Sequence, residues 1–207
     1  EIAWDIAEIS HGTKAFIGPL FPGVFDMSQL EHVYARFPEG RVRSIKLTVG
    51  GKTAQQYEDE LKDGGFTVDH IARDMLRKMP AASKSSEDVE LVRLNVRDLG
   101  FNTSTRFDAI FSRAKGLGLE LCPAEVGPAL RRALTDQAVG DEVVVGMKFM
   151  SARMSESQPN AKRAFSVVHR VGGMFYEASG RVLETRIIYD AWDYDGDLVF
   201  RRYKKQA

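Results

Sequence analysis

The chain has 207 residues, 43% of them hydrophobic and 28% charged, an ordinary globular composition with enough apolar material for one sizeable core. Its 29 lysines and arginines balance 29 aspartates and glutamates, so it lacks the basic excess of a dedicated nucleic-acid or acidic-membrane binder. The single cysteine, Cys122, excludes an internal disulfide and a multi-cysteine zinc site, and no apolar run approaches the ~20 residues that span a bilayer.

In chain order, Glu1–Ile9 alternates Ile2, Trp4 and Ile6 with polar or small neighbours, the pattern of a half-buried strand. Gly18-Pro19 and Pro22-Gly23 punctuate a turn-rich connection, and Ser28 with Glu31 forms a capping box for a short helix ended by Pro38. Arg41–Val49 reads as a strand. Thr53 with Gln56 caps a helix stopped by Gly64-Gly65. Asp69 caps the next helix, whose apolar stripe is Ile71, Ala72, Met75, Leu76 and Met79.

Residues 80–86, small, polar and led by Pro80, form the best linker. Val89–Val96 is a strand whose alternation carries a slip or a bulge. Thr103 or Ser104 opens a helix with Phe107, Ile110, Phe111, Ala114 and Leu117 on one face, stopped by Gly116 and Gly118. Leu119–Cys122 is a short buried strand. Pro123 opens a helix to Leu134 that Gly127-Pro128 should interrupt, because proline lacks an N–H and constrains the residue before it. From Glu142 onward, strand-like runs alternate with turns, and polar Ser151–Lys162 reads as a mobile loop.

These elements predict an α+β fold. Strands and helices alternate to about residue 135, and a mainly antiparallel sheet of C-terminal strands packs on them. A single domain over 1–207 is expected, with a subdivision into 1–79 and 87–207 as the alternative. No signal peptide is visible, and since the sequence starts at Glu1 an upstream segment is allowed for.

The motifs that resemble chemistry are incomplete. Gly50-Gly51-Lys52-Thr53 ends like a phosphate-binding loop, but the glycine needed five residues before Gly51 is Lys46. Asp193 to Asp197 resembles half a calcium loop and reads better as a hairpin turn around Asp195-Gly196. The four histidines show no paired metal spacing, so no metal and no cofactor is expected. Cys122 before a helix start is a possible thiolate nucleophile, though an apolar strand more commonly holds an inert thiol. Arg201, Arg202, Tyr203 and Lys204 at the C-terminal strand suit either a nucleic-acid stacking surface or an edge strand guarded by charge.

Two resemblances add to this. Ser10-His11-Gly12-Thr13 after a strand resembles the His-Gly-Thr with which diphtheria-type mono-ADP-ribosyltransferases hold the nicotinamide ribose of NAD. It would give His11 that role and Glu184 that of the late acid, while Tyr57 lacks the second tyrosine of the family's pattern. Separately, IKLTVGGKTAQQYEDEL from Ile45, ARDML ending at Leu76, Asp98-Leu-Gly-Phe, and LGLELCPAEVGPAL over Leu117–Leu130 resemble an uncharacterised bacterial protein family across the central half of the chain. That resemblance implies a bacterial, cytoplasmic origin, carries over no catalytic residue, and directs attention to Cys122, Glu125 and Arg131.

The expected function is therefore non-enzymatic: binding of a protein partner, or self-association, away from any membrane. The first alternative is an enzyme with a dispersed site around Glu125 and Arg131, helped by His11 or Cys122. The second is a nucleic-acid binder using the C-terminal basic and aromatic strand.

Overall fold

The computed structural model describes residues 5–9, 13–17, 43–79, 85–152, 161–170, 180–189, 191–192 and 196–202. In chain order its elements are strands β1 (Asp5–Ile9), β2 (Thr13–Ile17) and β3 (Arg43–Gly50), helix α1 (Ala54–Asp63), β4 (Thr67–Val68), α2 (His70–Arg77) and β5 (Ser86–Asn95). A 3-10 turn (Val96–Leu99), β6 (Thr105–Arg106), α3 (Phe107–Gly116), β7 (Leu119–Glu120) and α4 (Val126–Ala133) follow. The chain then runs through β8 (Glu142–Val145), β9 (Met150–Ala152), β10 (Ala161–Arg170), β11 (Gly180–Ile187), β12 (Ala191–Trp192) and β13 (Asp197–Arg202). The helix expected after Ser28, His11 and the residues 203–207 lie outside the described residues.

Mixed helix and sheet is the architecture, but the sheet is not purely C-terminal. Its strand order is β3-β5-β13-β8-β10-β11-β4, with β7 added to β13 and β9 to β10. Strands from both sides of residues 80–86 thus share it: β3 pairs antiparallel with β5 over Arg43↔Arg93 to Gly50↔Ser86, and β4 pairs parallel with β11. The late strands are apolar on more than one face, and the early strands β3, β4 and β5 supply the neighbours that complete their ladders.

Local signals explain the helices. Thr53 and Gln56 form the expected capping box, and Gly65, at φ 73°, takes the left-handed turn after α1. Asp69 accepts from the amides of Ile71 and Ala72 at the start of α2, whose Ile71, Ala72, Met75 and Leu76 are buried. Helix α3 starts later than expected, at Phe107, because Thr105 and Arg106 are drawn into an antiparallel ladder with β12.

Helix α4 corrects a second expectation. Gly127-Pro128 does not break it, because Pro128 sits in the first turn, where no intrahelical partner awaits its missing N–H. Pro123 lies ahead in a turn, whose carbonyl accepts from Val126. Strand β5 has no bulge. Its pairing with β3 and β13 is regular, and Val89, Leu91, Val92 and Leu94 are all buried because an interior strand is covered on both faces. The expected loop Ser151–Lys162 is shortened by pairing of Ser151 and Ala152 with Lys162 and Ala161.

Helix α4 covers one face of β10, and Phe165 comes so close that a Cβ on Gly127 would lie 2.6 Å from its ring. A second apolar group, Phe107, Phe111, Phe149 and Trp192, fills the end near β12 with ring centroids 5.0–5.5 Å apart.

Candidate functional site

The strands β8, β10 and β11 carry a row of charge on one face. Register fixes this: Ser166 lies opposite Val144 on one side and Glu184 on the other, and Ala164 lies opposite Arg186. Side chains two residues apart share a face, so Glu142, Ser166, Glu184 and Arg186 project together. Ser166 donates to Glu142 at 2.8 Å, Arg186 reaches the same carboxylate at 3.2 Å, and Arg170 forks onto both oxygens of Glu184 at 2.8 and 2.6 Å.

Two loops extend the row. Arg93, near the end of β5, grips Asp141 with two nitrogens and Asp197 with a third at 2.7 Å, while Asn95 donates to Asp197 at 3.0 Å. Arg163, 2% exposed, donates to Thr185 at 2.9 Å and lies under the electrostatic influence of Asp69. The result is a cavity of about 830 Å³ whose lining includes Asp69, Asp141, Glu142, Glu184 and Asp197 together with Trp192 and Tyr189.

The charges are organised rather than free. Arg170 answers Glu184, Arg186 answers Glu142 and Arg93 answers Asp141 and Asp197, while Arg163, on the alternate face of β10, goes to Thr185. The guanidinium forks of Arg93 and Arg170 are directed into these carboxylates, Arg93 onto Asp141 and Asp197 and Arg170 onto Glu184. Burial pushes the Glu184 carboxyl above its ordinary range; the Arg170 hydrogen bonds oppose the rise, and Glu142 and Asp69 reinforce it. Among the described residues no group of three or more His, Cys, Asp and Glu has the arrangement to hold a metal ion.

The residues singled out from sequence lie elsewhere and do not converge. Cys122 is buried, bridges to Met147, and points its thiol at the Val199 carbonyl at 3.6 Å. Burial drives its pKa far above the usual thiol range, with the nearby Arg201 pulling weakly the other way, so it is no thiolate. Arg131 is wholly buried; it donates to Gln137 at 2.6 Å, to the Val168 carbonyl at 3.1 Å and to the Leu134 carbonyl, and its guanidinium stacks 5.2 Å from the centre of the Phe66 ring. It ties the end of α4 to β10. Burial lowers its pKa to about 10, which still leaves it charged at neutral pH.

Glu125 precedes α4 and makes no side-chain cap; its charge is felt instead by Tyr57. None of Cys122, Glu125 and Arg131 lines the cavity. Arg201 pairs with Glu87 at 2.8 Å and lies 3.7 Å from Glu120, and Arg202 pairs with Glu90 at 3.3 Å. Their strand β13 is interior, between β5 and β8, so its arginines answer neighbouring glutamates rather than guard an edge. His11, Tyr203 and Lys204 lie outside the described residues.

The chain matches no family model, no curated protein and no solved structure. Sequence reasoning missed Asp141, Glu142, Arg170 and Asp197. The available signal was polar residues at alternate positions of apolar strands, Ser166 within FSVV and Glu184 within VLETRI, which marks a polar sheet face.

Proposed function

We propose that this chain is a non-enzymatic binding protein that holds a protein partner by a lysine- or arginine-bearing segment seated in the charge-lined cavity. The observation that carries the reading is the composition of that cavity: five carboxylates line it against three arginines, an excess of acid fixed on a sheet. A cationic donor is the complement of such a surface, and the exposed Tyr189 adds an aromatic face that suits a cation, whereas the Trp192 ring already carries the Arg186 guanidinium 5.6 Å from its centre. A reducing, cytoplasmic setting fits a sole cysteine kept as a buried thiol. No helix among the described residues is long and apolar enough to cross a membrane.

The test is fluorescence anisotropy with labelled oligolysine and oligoglutamate. The reading predicts that oligolysine binds, that affinity falls as salt rises, and that Glu142→Gln weakens it about tenfold, the worth of one charge-assisted hydrogen bond. Equal binding of both peptides, or none, contradicts it.

A further inference from the structure

A second concavity, of about 890 Å³, lies between β3, the start of α1 and one side of α4, and its chemistry is the reverse of the first. Lys46, Lys52 and Arg132 line it, with Glu60 as the sole lining acid among the described residues. Lys52 Nζ is 2.7 Å from Glu60 Oε1 and Arg132 Nη1 is 2.8 Å from Oε2, so a single carboxylate answers two cations. Both are within reach of solvent, at 34% and 58% side-chain exposure.

Further donors belong to residues that line the same cleft. Tyr57, 3% exposed, accepts from the Gly50 amide at 3.0 Å, and its own O–H finds no acceptor among the described residues. The amides of Gly51 and Lys52 also donate to no described acceptor. Gly50 and Gly51, at φ 81° and 68°, hold the turn in a left-handed shape that side-chain-bearing residues rarely adopt. The cleft is thus rich in donors and short of acceptors, and its volume suits a small ligand.

We propose that this cleft binds an anionic group, a carboxylate or a phosphate, that takes Lys52 and Arg132 over from Glu60 and accepts from the Tyr57 hydroxyl and the Gly51 and Lys52 amides. Glu60 is the internal stand-in for the missing anion. Because Lys46 occupies the position where a phosphate-wrapping loop needs glycine, the grip comes from side chains and two amides, not from a backbone cradle. This inference is independent of the cationic partner proposed for the first cavity.

Calorimetric titration of the full chain with inorganic phosphate and, separately, with succinate at fixed ionic strength tests it. Saturable binding of at least one anion is expected; the tighter of the two identifies the ligand class. Lys52→Ala combined with Arg132→Ala should weaken binding about tenfold or more, as loss of charge-assisted hydrogen bonds implies. Glu60→Gln removes the competing carboxylate and should tighten binding severalfold. Asp108→Asn, the same charge change on α3 outside the cleft, should leave affinity as it was. A gain of affinity cannot come from a misfolded variant, so the Glu60→Gln result stands whatever the fate of the double variant. Absence of saturation with both anions, or equal effects of Glu60→Gln and Asp108→Asn, overturns the proposal; the latter outcome marks an adventitious ion only.

Discussion

Two neighbouring arginines show how little residue type says about residue role. Arg131 is sealed among carbonyls beneath Phe66, and Arg132, one position on, reaches Glu60 in the open cleft. Helical geometry turns adjacent side chains by about 100°, so one faces the core and the other solvent. Cys122, Glu125 and Arg131 cluster in sequence, but Cys122 and Arg131 are packed inside the fold. Cys122 should resist a thiol reagent such as dithionitrobenzoate in the native protein and react fully in denaturant; rapid native labelling would contradict its burial and its raised pKa. Glu184 carries a pH dependence of definite sign. Its pKa is raised in the folded chain, so between the unfolded and folded values the native state holds more protons. Stability from this group is gained as pH falls into that window and lost as pH rises through the folded pKa. Urea midpoints measured at neutral pH and in the mildly acidic range should show this gain, and Glu184→Gln should remove it.

At the scale of elements, the caps were legible because a cap is decided by side chains three residues apart, as at Thr53 and Gln56 or at Asp69. Elements decided by long-range contact were not. The apparent slip in Val89–Val96 is an interior strand covered twice, and the late start of α3 is set by β12, some eighty-five residues onward. Helix α4 holds the sharpest case. Gly127→Ala gains helix propensity worth up to ~1 kcal/mol, but its methyl would sit 2.6 Å from the buried Phe165 ring, and overpacking costs about 1–3 kcal/mol. The clash wins: a loss of about 1–2 kcal/mol is expected in urea unfolding. Gly116→Ala at the end of α3 meets nothing within 4 Å and should be neutral or stabilising by up to ~1 kcal/mol. The reverse order of the two would refute the close approach of α4 to β10.

For the molecule as a whole, the sheet interleaves distant parts of the chain. The order β3-α1-β4-α2 is echoed by β5-α3-β7-α4, yet β4 joins β11 in parallel and β7 joins β13 antiparallel, at separate places in the sheet. The alternating pattern of each strand was readable; the strand order was not, since pairing partners leave no mark within a strand's own sequence. That order is what creates the cavity, because Asp69, Arg93, Asp141, Glu184 and Asp197 come from five separate segments. A chain ended after Trp192 loses β13, the strand joining β5 to β8, and should lose cooperative thermal unfolding; retention of a sharp transition would contradict an interior β13. Amide chemical-shift mapping during oligolysine titration reads directly where a cationic partner sits. Shifts concentrated at residues 141–142, 184–186 and 192, with the Gly50–Thr53 turn unmoved, are the predicted result, and shifts scattered over the surface or centred on that turn would contradict it.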